Sequence, residues 1–400
     1  MINTENRSHR AILRDLARKA MTDRGMLPDF SDGALDELGR MVPAMPRAGE
    51  ARDLRQLLWC SIDNNDSRDL DQLSVAEQLP GEAIRVMVAI ADVDALVKKE
   101  SAIDRHARQN TVSVYTTAEI FPMLPEKLST DLTSLNYNRD RLVLVVQVDV
   151  APDGRIYGSN LFRAQVRSHA RLNYGSVGAW LEGDEPVPEE AGMVEGLPAN
   201  LMLQDQAAAL MKKYRYAHGA LDFDRTESKA VFEEDMIREL REVQRNRARD
   251  IIEEFMISAN QVTATYLMEK NFPSFRRVVK NPKRWTRIVE IAADHGRELP
   301  VDPDPLALQE FMAWAKVAEP EDFPDLSLSI IKLLGPGEYV VGFPGEPAPG
   351  HFGLAVKNYS HSTAPNRRYP DLITHRLIKS ALAGKPVPYT REELNALAMH

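Results

Sequence analysis

The stretch Cys60-Ser61-Ile62-Asp63-Asn64-Asn65-Asp66-Ser67-Arg68-Asp69-Leu70-Asp71-Gln72 carries four aspartates within nine residues, directly after an apolar run. Asp69 and Asp71 are two apart, so in extended chain both point the same way. Asp63 can fold back across the Asn64–Arg68 loop to meet them. Carboxylates about 4 Å apart repel by roughly 4 kcal/mol per pair at an effective dielectric near 20. Such a group requires protons, cations or separation. Hard oxygen donors suit Mg²⁺ or Mn²⁺, and metal-assisted phosphoryl transfer is a common use of them. The plain alternative is a solvated acidic loop in which each Asp caps a turn. A calcium-binding EF-hand would need Gly at its sixth position and Glu at its twelfth. Counted from Asp63, those positions hold Arg68 and Ser74, so that motif fails.

Around this loop the sequence reads as β first and α later. Leu57 to Ile62 is apolar, Leu73 to Glu77 alternates, and Ile84 to Ala91 is a strong strand, with Pro80-Gly81 marking the turn between the last two. Leu142–Val150 and Arg155–Val166 form a hairpin around Ala151-Pro152-Asp153-Gly154. Residues 8–22 and 33–42 have helical spacing, and 43–51 reads as a linker. Helical periodicity dominates 202–218, 234–269, 283–296, 307–317 and 370–383. The fold class expected from this order is α+β.

The chain has 400 residues, 44% apolar and 27% charged, which excludes disorder and collagen-like repeats. No apolar stretch approaches the roughly 20 residues that span a bilayer, so no membrane association is expected. A polar start and a single cysteine, Cys60, argue against a secretory leader, a disulfide framework and a cysteine-based zinc site. The cytoplasm is the expected location. The net charge of −9 argues against bulk coating of nucleic acid but allows a local basic channel.

The acidic loop resembles the signature of the RNB catalytic domain of the ribonuclease II / ribonuclease R family, T-I-D followed six residues later by D-x-D-D. Here it stands as Ser61-Ile62-Asp63 and Asp69-Leu70-Asp71-Gln72. Further segments match in family order. They include Val88-Ala-Ile-Ala-Asp92-Val93, Tyr115 with Pro122-Met-Leu-Pro125, Asp131-Leu-Thr-Ser-Leu135 and Ala170-Arg-Leu-Asn-Tyr174. Gly219-Ala-Leu-Asp-Phe223, Ile252 to Asn260, His351-Phe-Gly-Leu354 and Ser362 to Asp371 follow.

The resemblance implies an RNB-type core, a mixed sheet packed with helices around an RNA channel, over residues 51–400. Residues 1–50 would be a helical lead-in. It implies a monomer that degrades single-stranded RNA processively from the 3′ end to 5′-mononucleotides, by water activated by Mg²⁺, with Mn²⁺ a possible substitute. Asp63, Asp69 and Asp71 match family aspartates that hold metal, and Gln72 stands where a fourth Asp is usual. Gln72 can offer an amide oxygen but no charge. Arg367 matches the arginine on the scissile phosphate, with Arg368 beside it at a helix start. Tyr115 and Phe223 match the pair that clamps bases near the 3′ end, Tyr174 a further aromatic along the RNA, and Glu253 a glutamate near the 3′ end. Read without the family, Glu253 is an ordinary helix-surface partner of Arg249, and Arg276–Arg287 is a solvated basic helix start. Gln72 leaves open an RNA-binding protein with weak or lost catalysis, and a metal phosphoesterase with another substrate is a third reading. The helical pattern from Thr390 to His400 suggests a segment of a longer protein, with weak RNA affinity expected for these 400 residues.

Overall fold

Ile84–Ala91 and Leu142–Val150 bury nearly every side chain on both faces, which makes them the centre of the sheet. The computed structural model describes residues 9–46, 49–223, 227–233, 236–243, 245–347 and 349–400. Two helices, α1 (His9–Asp23) and α2 (Asp32–Gly39), precede the sheet, the second capped by Ser31. The sheet region holds β1 (Arg52–Asp53), β2 (Cys60–Asp63), β3 (Gln72–Gln78) and β4 (Ile84–Ala91). There follow α3 (Ala102–Asn110), the short pair β5 (Val114–Tyr115) and β6 (Ile120–Phe121), then β7 (Asp140–Val150), β8 (Ile156–Arg167) and β9 (Ala170–Asn173).

The strand order is β1-β8-β7-β4-β3-β2-β9. Pairing is antiparallel except at the two edges, β1 with β8 and β2 with β9. The β7–β8 turn is the Ala151–Gly154 segment read from sequence, with Gly154 at φ 87°. The expected α+β class, a mixed sheet packed with helices, is thus present, with a helical segment ahead of it.

Helices cover the sheet. After α4 (Tyr174–Glu182) and α5 (Glu189–Gly192), α6 (Leu197–Ala217) lies against β3. Its Asn200 side chain bonds both the N–H and the C=O of Ala76, at 3.2 and 2.7 Å, and Gln204 accepts from the Ser74 hydroxyl at 2.7 Å. A two-stranded ribbon follows, β10 (Glu227–Glu233) and β11 (Met236–Val243), then α7 (Arg247–Glu269). The helix expected over 234–269 is therefore corrected. Residues 236–243 are strand, and the helix starts only at Arg247, after its cap Asn246. Met236-Ile237…Leu240…Val243 has helical spacing over eight residues. Pairing with 227–233 overrides so short a signal.

The remaining elements are β12 (Ser274–Val278), α8 (Trp285–Asp294), α9 (Pro305–Ala318), α10 (Phe323–Leu334), β13 (Glu338–Gly342), α11 (Tyr369–Leu382) and α12 (Arg391–Met399). α8, α9 and α10 bury a separate core around Trp285, Ile288, Leu308, Phe311 and Ile330. Among the described residues no helix is long and apolar enough to cross a membrane.

α11 is tied to the sheet by charge. Lys379 Nζ lies 2.7 Å from Asp92, just past β4, and Arg163 of β8 lies 3.2 Å from the same carboxylate. Arg376 reaches Asp104 at 2.7 Å and Asp94 at 2.9 Å. Burial opposes ionisation of Asp92, but Lys379 and Arg163 hold its carboxyl below the usual range. A carboxylate held below its unfolded value of about 3.9 stabilises the fold above that pH. That stability is lost as the pH falls through the folded value. Lys379→Met is expected to cost roughly 3 kcal/mol at pH 7, with the cost vanishing only once the pH falls through the depressed value of Asp92 in the fold, where its carboxyl protonates. Urea unfolding at neutral pH and below that value checks this. An equal cost at both would mean lost packing, not lost charge.

Candidate active site

The acidic loop is held by backbone and hydroxyl contacts, with Asp69 and Asp71 outside regular structure. β2 ends at Asp63 and β3 begins at Gln72. Between them the Leu70 N–H donates to Ser134 Oγ at 3.0 Å, and Ser134 Oγ donates to the Arg68 carbonyl at 2.9 Å. Arg171 adds bonds to the carbonyls of Asn65 and Ser67. Asp63 Oδ1 accepts from the Asn64 N–H and the Ser67 hydroxyl, at 2.7 and 2.8 Å. Asp69 Oδ2 accepts from Tyr115 Oη at 2.9 Å.

Asp71 is the buried member, 1% exposed. Its Oδ1 accepts from the Asn366 N–H at 3.1 Å and its Oδ2 from Arg367 Nε at 3.2 Å. Burial pushes the Asp71 carboxyl up to about 7. Arg367 and the Asn366 N–H pull it down, while Asp69 and Asp371 add to the rise. Arg367 feels Asp71, Tyr115, Asp69 and Asp63 together, and they keep it firmly charged despite its desolvation. Its side chain is 47% exposed, so one end of the guanidinium is free to meet a ligand.

The turn bearing Arg367 is fixed from both sides. The Ser113 N–H donates to the Arg367 carbonyl at 2.9 Å, and the Tyr369 N–H donates to Thr111 at 2.7 Å. That pairing lays the 111–115 segment along the turn and delivers Tyr115 to Asp69. Thr133, from the Asp131–Leu135 segment, bonds the Asn366 side chain at 2.6 Å. Arg368 turns inward instead, to Asp371 at 2.7 Å and Thr363 at 3.2 Å. The structure therefore separates the Arg367–Arg368 pair. One faces the carboxylates, and the other neutralises a carboxylate that is fully buried.

Asp63, Asp69 and Asp71 all lie close enough to act on Arg367. Residues 69–71 are not extended strand, and each carboxylate takes its own protein donors. Among the described residues no group of three or more His, Cys, Asp or Glu side chains is placed to hold a metal ion. Gln72 is buried at the start of β3. Asp66 is exposed.

Beside this centre lies a cavity of about 450 Å³ whose wall includes Tyr174, Phe223, Glu253, Arg249, Tyr216 and His351. Gly178 of α4 makes the wall possible. A Cβ there would sit 2.4 Å from Asn246 Nδ2, and Asn246 both caps α7 and bonds the Tyr174 carbonyl at 2.8 Å. Phe223 lines this cavity, and Tyr115 stands with the carboxylates. Glu253 pairs with Arg245 at 2.6 Å, not with Arg249 as helix spacing suggested. Arg249 lies over the Tyr174 ring at 4.5 Å and donates to Asn64 of the acidic loop at 3.2 Å. Arg245 and Arg249, just before and within the first turn of α7, also line this cavity, and no sequence motif marks either. Asn260, further along α7, bonds Ser362 and Tyr359 in the interior. In the basic run, Arg276 is buried and α8 begins at Trp285.

The family model for the RNB domain matches residues 51–384. The chain belongs to the RNB domain family. Ribonuclease R of Escherichia coli K12 is 37% identical over 347 residues, which cover 86% of this chain and 41% of that protein. Ribonuclease R of Aquifex aeolicus is 30% identical, covering 85% and 48%. This RNB chain thus spans less than half the length of these curated relatives. Apo Mycoplasma genitalium RNase R aligns with TM-score 0.84 at 25% identity, covering 97% of this chain and 61% of that one. Yeast Ssd1, described as a pseudonuclease, shares the fold at TM-score 0.71 and 16% identity, covering 89% and 44%.

Removing the Arg367 charge tests the electrostatics of this RNB centre. Arg367→Gln is expected to raise the Asp71 carboxyl further above about 7, as read by carboxyl ¹³C NMR titration. An unchanged value would show that Arg367 does not set it.

Proposed function

We propose that the chain hydrolyses single-stranded RNA from its 3′ end, processively, to 5′-mononucleotides, with Mg²⁺ or in its place Mn²⁺. The observation that supports this best is the meeting of Arg367 and Asp71, 296 residues apart, beside Tyr115 on Asp69. The relatives named ribonuclease R, at 30–37% identity, favour the same reading.

The donor types, though not arranged as a metal cage among the described residues, are those that a hard divalent ion takes. Asp63, Asp69, Asp71 and the amide oxygen of Gln72 are all oxygen ligands. Asp71 is moreover a buried carboxylate whose ionised form needs positive charge close by. When bound, the ion supplies neutralisation of the phosphate and a more acidic water. The chain's own residues do the positioning. Arg367 holds the scissile phosphate through its exposed nitrogens, as a planar fork suited to phosphate oxygens. Tyr115 orders the terminal nucleotide next to Asp69. Tyr174 and Phe223 offer ring faces to bases, each stack worth roughly 1–3 kcal/mol and indifferent to base identity. Glu253 lies on the same wall and accepts from ribose hydroxyls, which distinguish RNA from DNA. Arg368 acts through Asp371 on the turn and not on RNA.

A second reading, RNA binding with weak or lost catalysis, is favoured by the neutral, buried Gln72 alone. RNA labelled at its 5′ end separates the two. With Mg²⁺ the chain is expected to shorten it from the 3′ end, and Asp71→Asn to slow this by at least about 10²-fold. Gln72→Asp is expected to raise the rate or tighten metal dependence. Binding without shortening by the unaltered chain would select the second reading.

A further inference from the structure

A second cavity, of about 1140 Å³, lies apart from the one beside Asp71. It lies where residues 42–45 and 49–52, β8 and the end of α11 come together. Seven basic side chains line it against two acidic ones, Glu50 and Asp94, in a chain whose net charge is −9. Four of the seven have carboxylate partners. Arg163 and Lys379 share Asp92, Arg376 takes Asp94 and Asp104, and Lys99 takes Glu393. Among the described residues the other three make no ion pair. Arg52 lies over the Phe162 ring at 3.9 Å, Lys98 donates to the Asp94 carbonyl at 2.6 Å, and Lys385 is exposed.

The groove is aligned with the candidate active site. Arg52 pairs with Ala164, Ala164 with Val143 and Val143 with Ala91, and the Ala91 N–H donates to the Asp71 carbonyl. Arg52 and Asp71 therefore stand on one cross-strand row at the same end of the sheet. Four strand steps separate them, roughly 19 Å. α11 measures the same distance independently. Arg367 precedes its first residue and Lys379 to Lys385 close it, and 14 residues of helix span roughly 21 Å.

We propose that this groove binds the phosphodiester backbone of the 5′-ward part of the RNA strand whose 3′ end lies at Asp71. The proposal rests on the reading of the chain as an RNA enzyme. Three uncommitted cations answer to phosphates, not to bases. The single aromatic lining residue, Phe162, is covered by Arg52, so no ring face is open for stacking. A volume above that of a typical small-ligand pocket suits a strand better than a nucleotide.

The test compares oligouridylates of about 4 and about 16 nucleotides, bound by anisotropy in an Asp71→Asn background so that the strands stay intact. The variant carries Arg52→Gln, Lys98→Gln and Lys385→Gln, all exposed positions outside the catalytic group, with its fold checked by urea unfolding. The 16-mer is expected to lose about tenfold or more in affinity at low salt. Its plot of log K against log salt is expected to flatten by about 2, since each single-strand phosphate contact contributes about 0.7. The 4-mer is expected to bind as before. Unchanged 16-mer binding, or equal weakening of both oligomers, overturns the groove. Competition by 5′-AMP with the 16-mer in the parent but not in the variant would assign the groove to free nucleotide and also overturns the strand. Failure of the groove alone leaves Asp71-dependent 3′ shortening intact. Failure of the parent to bind either oligomer removes the RNA reading, and the groove with it.

Discussion

A carboxylate as deeply buried as Asp71 is stable only if something compensates it, and here the compensation comes from the far end of the chain. The Asn366 N–H and the Arg367 guanidinium take one oxygen each, across 295 and 296 residues. Leaving a buried carboxylate without its partners is costly, so this contact resists any slip between the β-rich half and the helical half. The segments that matter most for function are those that keep the contact in place. Residues 111–115 run beside the Arg367 turn, Asp131–Leu135 grips the acidic loop, and Lys379 and Arg163 meet at Asp92 to hold the far end of α11.

The same electrostatics accounts for the division of labour between neighbouring arginines. Arg368 is drawn inward because Asp371 is fully buried and already accepts the Ala364 N–H at 2.8 Å. Arg367 can then stay half-exposed and still be held on Asp71. On the other wall, Arg249 spans from Tyr174 to Asn64, so the cavity and the acidic loop are in direct contact. A nucleotide on Tyr174 would thus meet a cation that is already bonded to the loop of carboxylates.

The fold was legible where periodicity and burial agree. Ile84–Ala91 has the expected bounds, and the hairpin at 140–167 is displaced by a few residues at most. It was not legible where two periods compete. Leu326-Ser-Leu-Ser-Ile330 alternates like a strand, yet Pro324 near a helix start and burial of Leu326 and Ile330 make it α10. Met236–Val243 errs in the opposite sense. At the site, the acidic loop stood out from charge density alone, but its partner did not. No local rule links Asp71 to Arg367, and only the family resemblance joined them. Arg249 illustrates the limit further. Helix spacing pointed to Glu253, four residues away, whereas its hydrogen-bond partner Asn64 is 185 residues distant.

The central claim is that Asp71 and Arg367 act as one unit on a phosphodiester. A double-mutant cycle on single-turnover RNA cleavage, using Asp71→Asn, Arg367→Gln and the pair, measures this directly. Groups that share one phosphate and one buried contact should be coupled by about 0.5–3 kcal/mol, the double variant being less impaired than the sum of the singles. Barrier increases that add to within about 0.5 kcal/mol would mean independent sites and would contradict the account.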